Sequence, residues 1–98
     1  MDRQSAHWMK REDERILEFL EEEGLSTASL ISREVFESVS MGHVRERLHM
    51  LAGAELVGSL TTDRTHWELT QAGQRYLDGD LDAENQPRPR LGRVLRND

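Results

Sequence analysis

Residues 40–77 read SMGHVRERLHMLAGAELVGSLTTDRTHWELTQAGQRYL, and the order of elements in this stretch decides the fold. Ser40 is placed to cap a helix, because a Ser hydroxyl accepts a bond from a free backbone N–H of the first turn. Val44, Leu48 and Leu51 follow at i, i+4 and i+7, one apolar stripe down a helix. Gly42, His43, Arg45, Glu46 and His49 are left pointing the other way. Leu56-Val57 and Trp67 to Leu69 then bracket the polar tip Thr61-Thr62-Asp63-Arg64, a strand–turn–strand pattern. Thr70 is set to cap a further helix that carries Tyr76, Leu77 and Leu81. A helix with a polar outer face running directly into a small hairpin predicts a mainly α, α+β domain. Its type is a winged helix-turn-helix with three core helices, a wing and a C-terminal helix.

Upstream, KREDERILEFLEEEG (10–24) sets Ile16, Leu17 and Leu20 on one helical face, with Phe19 beside them. Glu12 and Asp13 fall in its first turn, where carboxylates favour the helix dipole, and Gly24 is a natural stop. The acidic run Glu21-Glu22-Glu23 reads as a solvated helix end, not a metal site. In LSTASLISREVF (25–36), Ser26 or Thr27 caps a short helix that buries Leu30 and Ile31. This helix and the one capped by Ser40, joined by a short connection, match a helix-turn-helix whose second helix enters the major groove. The chain thus divides into an N-terminal arm (1–9), the winged helix-turn-helix domain (10–82) and an Arg-rich C-terminal tail (83–98). In the tail, Pro87 and Pro89 disfavour helix.

With 98 residues and 36% hydrophobic content the chain has room for one domain and one core. The absence of Cys excludes disulfides, thiolate zinc sites and cysteine nucleophiles. No apolar run approaches the ~18 residues of a membrane span, and MDRQSAHWMK lacks the apolar stretch of a signal peptide. A soluble, cytoplasmic protein without membrane contact is expected. The four His (7, 43, 49 and 66) lack the spacing of HExxH, and no glycine-rich phosphate loop or nucleophile motif occurs. No enzyme, cofactor, metal or small-molecule ligand is predicted.

The net charge of −6 runs against the basic footprint of a nucleic-acid binder. Its distribution is more informative. Residues 1–37 carry 5 basic and 10 acidic groups, residues 38–66 three of each, and residues 67–85 one against five. Residues 86–98 carry four Arg and one Asp, so the helix–hairpin segment 38–66 and the tail are the segments without an acidic excess. Of the 13 basic residues only Lys10 is Lys, while 19 residues are acidic. An acidic, Lys-poor surface suits a very salty cytoplasm, where ionic strength screens self-repulsion.

Double-stranded DNA is therefore the expected partner, with the helix at about 40–52 in the major groove. Arg45 is the best candidate for guanine O6/N7, because its planar fork fits both acceptors. Gly42 lets the backbone approach the groove, and Ser40 both caps and offers an N–H to phosphate. His43 and His49 are candidate donors to phosphate or base. Glu46 can accept from a cytosine amino group, and Arg47, nearer the core, suits a salt bridge or a phosphate. Arg64 at the wing tip is expected in the minor groove or on the backbone. Trp8, Met9, Tyr76, Leu91 and Leu95 are candidates for a homodimer interface. The alternative is a winged helix used for protein–protein contact, favoured by the weak basic character of the face.

Four segments resemble the winged-helix proteins related to the repressor of the haloarchaeal phage phi-H. They are WM (8–9), DERILEFLEEEG (13–24), VSMGHVRERLHMLAGAELV (39–57) and THWELTQAGQRYLDGDLDAEN (65–85). The resemblance implies a cytoplasmic, dimeric DNA-binding regulator of the repressor kind from a salt-loving archaeon. The chain departs from that pattern in three places. Ala54-Glu55-Leu56-Val57 stands where such proteins have Ala-Gly-Leu-Val, and Gly53 is the expected substitute for the missing helix stop. Glu46 puts a carboxylate on the outward face, and the Arg-rich tail is foreign to the family.

Overall fold

The computed structural model describes residues 2–89. The element order is α1 (Arg11–Glu23), α2 (Ala28–Val35), α3 (Met41–Gly53), β1 (Val57–Ser59), β2 (Trp67–Leu69) and α4 (Gln71–Leu77), followed by a 3₁₀ turn at Ala83–Asn85. This is the winged-helix α+β arrangement that the residue pattern predicts. The apolar stripes meet in one core: Ile16, Leu17 and Leu20 of α1, Ile31 of α2, and Val44, Leu48 and Leu51 of α3 are all at most 2% exposed. Full burial of each such side chain contributes about 1.5–3 kcal/mol, so this contact holds the three helices together.

Caps set the helix starts. Thr27 Oγ1, not Ser26, accepts from Leu30 N (3.1 Å) to open α2. Ser40 Oγ accepts from His43 N (3.1 Å) to open α3, and Thr70 Oγ1 accepts from Gly73 N (3.0 Å) to open α4. Ser26 has a different duty. Its backbone N–H and C=O exchange bonds of 2.9 and 2.8 Å with Trp67, which gives the hairpin a third, one-residue strand. β1 and β2 pair antiparallel with Val57 opposite Leu69 and Ser59 opposite Trp67.

The stop of α3 corrects an expectation. Gly53 is the last helical residue, and the left-handed position falls instead on Glu55, with φ 64°. Glu55 N–H reaches Ala52 O and Leu56 N–H reaches Leu51 O, both at 3.0 Å. These two bonds and the buried Leu51–Leu56 pair make a Schellman stop, which needs its left-handed residue one place after the cap. Gly53 lies too early in the chain to serve.

The N-terminal arm lies on the body. Arg3 Nη1 donates to Glu14 Oε1 (2.9 Å) and Glu18 Oε2 (2.6 Å), and its Nε donates to Leu77 O (3.1 Å). Gln4 pairs in parallel with Asp82, and His7 N donates to Glu84 Oε2 (2.7 Å). Gln86 Nε2 donates to Ala54 O (3.1 Å), so the segment after α4 returns to the C-terminal end of α3.

Candidate nucleic-acid interface

The outward side of α3 begins at its capped N-terminus. Ser40, Met41, Gly42 and Arg45 are exposed, while His43 and Glu46 are half-buried. A Cβ at Gly42 would find Ser40 Oγ at 3.9 Å and nothing closer, so the approach to this turn is open. His43 Nε2 lies 3.0 Å from Glu12 Oε2, and that bond holds the Glu12 carboxyl below its ordinary range. Arg45 makes no ion pair among the described residues.

Two expected contacts point elsewhere. Arg47 is only 3% exposed. Its Nε donates to Asp13 Oδ1 (2.8 Å), and its Nη2 donates to Asp13 Oδ2 (2.6 Å) and Trp8 O (3.3 Å). Asp13 also accepts from Lys10 N (3.0 Å), so one buried carboxylate caps α1 and ties α1 to α3. Arg47 is thus withdrawn from the groove-facing set. Its position explains why: it lies three residues after Val44 and four before Leu51, inside the buried stripe. Asp13 stands likewise with Ile16, Leu17 and Leu20. A charged residue in each of two apolar stripes, opposite in sign, was the available signal for this pair.

His49 is withdrawn as well, for a tertiary reason. It lies outside the α3 stripe, but the hairpin folds over it and leaves 7% exposed. Its ring meets Trp67 edge-on at 5.0 Å and 80°, and its Nδ1 is buried without a hydrogen-bond partner. Burial lowers its pKa below the ordinary imidazole value, and the positive charges of Arg64 and Arg45 lower it further. The two guanidinium groups therefore act on one ring, from the wing and from α3.

At the wing tip Arg64 is exposed with φ 56°, and its N–H reaches Thr61 O at 3.1 Å. Thr61 Oγ1 accepts from Thr65 N (3.0 Å), and Thr65 Oγ1 donates to Asp63 Oδ1 (2.9 Å). The tip is thus built by its own polar side chains, and Asp63 has a turn-holding bond of its own.

Of the candidate dimer residues, Trp8 and Met9 are half-buried against the core. Tyr76 is fully buried, with its hydroxyl donating to Glu14, so it presents no surface to a second subunit. Burial and that carboxylate raise its pKa. Leu91 and Leu95 lie outside the described residues. Among the described residues no group of three or more His, Asp or Glu is placed to hold a metal ion, and no helix is long and apolar enough to cross a membrane.

The family model for the winged helix-turn-helix phage repressor matches residues 1–88. Among solved structures, the crystal structure of the PhiH1 repressor-like protein from Haloarcula marismortui is similar, with a TM-score of 0.81 and 32% identity. That likeness covers 90% of this chain and 98% of the other. No curated protein matches.

Proposed function

This chain belongs to the winged helix-turn-helix phage repressor family, and on that premise we propose that it is a sequence-specific regulator of transcription, a repressor, that binds double-stranded DNA. The family is a regulatory one, not a family of enzymes. α3 lies in the major groove and the wing, residues 61–64, lies near the minor groove or the backbone. One observation carries this reading: Arg45 on α3 and Arg64 on the wing are both exposed, and neither makes an ion pair among the described residues. That places two exposed guanidinium groups on the one folded segment, residues 38–66 with three basic and three acidic groups, that lacks the acidic excess of the rest of residues 1–85, where they can meet phosphate.

Arg45 reads guanine through O6 and N7, Glu46 accepts from a cytosine amino group, and Gly42 admits the backbone. Ser40 offers a backbone N–H to phosphate, and His43 and Arg64 grip the backbone. Arg47 and His49 act from behind, one fixing α3 to α1 and the other filling the space between α3 and the wing. The protein acts as a homodimer in a salt-rich cytoplasm, with the half-exposed Trp8 and Met9 in the interface. Two-fold symmetry then sets the recognition helices about 34 Å apart on a near-palindromic site.

The test is selection of bound duplexes from a random DNA pool at molar KCl, with Arg45→Ala alongside the wild type. A palindromic motif that the variant loses supports a sequence-specific regulator read through α3. A folded wild-type protein that enriches nothing sinks the reading and favours a protein-contact module.

A further inference from the structure

Three large apolar side chains are exposed among the described residues: Leu25, Met41 and Leu60. Met41 is the one that α3 carries, as its first residue, and it is 51% exposed. That exposure leaves it outside the core, because the buried stripe of α3 opens only at Val44. The cap of the helix is made without it, by Ser40 Oγ accepting from His43 N at 3.1 Å. Its neighbours leave it accessible: Gly42 follows without a side chain, and Ser40 before it is exposed too. The first turn of α3 also holds no carboxylate that would repel a phosphate.

Helical spacing gives this side chain its company. Residues four apart lie one above the other on a helix, so Met41, Arg45 and His49 form one row along α3. The hairpin covers the last of the three, since His49 is buried and meets Trp67 edge-on at 5.0 Å. Met41 and Arg45 are the part of the row that the wing leaves open. Residues so spaced have Cβ atoms about 5–6 Å apart, less than two base-pair rises of about 3.4 Å. The feature of the major groove that suits an apolar tip is the C5-methyl of thymine, because the rest of the pattern displayed there consists of hydrogen-bond donors and acceptors. An unbranched thioether with three rotatable bonds adapts readily to such a contact. We propose that Met41 is a specificity-determining residue that packs on a thymine methyl within two base pairs of the guanine read by Arg45. This inference rests on the DNA-binding reading above and adds to it the base that the first residue of α3 selects.

The wild-type protein and its Met41→Ala and Met41→Leu variants, matched for folding by circular dichroism, are titrated at molar KCl onto the duplex enriched by selection. Each is also titrated onto copies in which deoxyuridine replaces one thymidine at a time, which deletes the C5-methyl and leaves base pairing intact. At one thymidine within two base pairs of the guanine whose selection Arg45→Ala abolishes, the replacement should weaken wild-type binding about fourfold, the worth of one buried methyl. Met41→Ala should be indifferent to that replacement, and Met41→Leu, still apolar, should stay sensitive to it. An enriched motif with no thymine at that distance overturns the inference, and so does the lack of a methyl effect at any position. A methyl effect of equal size in wild type and Met41→Ala overturns it too, by assigning the contact to another residue. These three results leave the helix–wing reading intact. Failure of the folded wild type to enrich any duplex removes the DNA-binding reading itself, and the role of Met41 with it.

Discussion

Asp13 and Arg47 form a buried pair that serves stability, and Arg47 does so two residues along α3 from the exposed Arg45. Each is the lone charge in an apolar stripe, and each satisfies the other through two bonds. Removing one partner of a buried pair leaves an uncompensated charge, which costs about 3–5 kcal/mol, whereas replacing both by apolar residues is often neutral. Arg47→Ala should therefore lower unfolding free energy by about that amount in denaturant titrations, and Asp13→Leu with Arg47→Met should recover most of it. A single-variant loss below about 1 kcal/mol would reduce the pair to a surface-like contact. His49 makes a second test at this scale. Burial holds its folded-state pKa below the unfolded value of about 6.5, so the unfolded chain takes up the proton more readily. The stability this group protects is present above about pH 6.5 and is lost as pH falls through that value towards the folded pKa. His49→Phe keeps an aromatic ring against Trp67 and removes the titration. The expected result is a smaller stability loss than wild type between pH 7.5 and 5.5. Equal losses in the two proteins would show that another group governs that window.

At the level of elements, the helix stop of α3 and the docking of α4 depend on one backbone position each. Glu55 is exposed and left-handed, a conformation that costs an L-residue about 1–2 kcal/mol. Glycine removes that cost but adds about 0.4–1 kcal/mol of unfolded-state freedom. Glu55→Gly should thus stabilise by about 0.5 kcal/mol, read as a higher denaturant midpoint with unchanged slope, and Glu55→Ala should give no gain. Gly73 is the opposite case. A Cβ there would stand 2.2 Å from Leu56 O and 2.6 Å from Leu69 Cδ1. The helix propensity gained by Ala, about 1 kcal/mol, is smaller than the cost of driving α4 off a backbone carbonyl. Gly73→Ala should destabilise by about 2 kcal/mol, and a neutral or stabilising result in thermal melts would mean α4 shifts freely. These elements were largely legible in the chain. Ser40 and Thr70 announce their helices, and Val44, Leu48 and Leu51 announce the buried face, because caps and periodicity are local. What escaped was tertiary. Nothing in the local pattern pairs Ser26 with Trp67, brings the wing over His49, or returns Gln86 to Ala54. Arg47 fell between the two cases, since its stripe position was readable but its partner lay 34 residues away.

Across the whole molecule, charge is divided between a body that repels itself and a few cations that are free to act. Residues 1–85 carry −9, and Arg47 and Arg3 are consumed internally by carboxylates. Uncompensated acids confined within one small domain disfavour the compact state, and the remedy is ionic strength: the screening length falls from about 10 Å at 0.1 M salt to about 3 Å at 1 M. DNA binding moves the other way, because each phosphate contact releases counterions whose return is favoured by salt. Folding thus sets a lower bound on working salt and recognition an upper one. The thermal midpoint should rise with KCl, most steeply below about 0.5 M where the screening length changes most, and then level off. A set of melts followed by circular dichroism in KCl checks this. Neutralising Glu21, Glu22 and Glu23, which are exposed at the end of α1, should lessen the salt dependence while the plateau holds. A midpoint that is flat or falling from dilute to molar KCl would show that self-repulsion does not limit this fold, and would leave recognition alone to fix the salt at which the protein works.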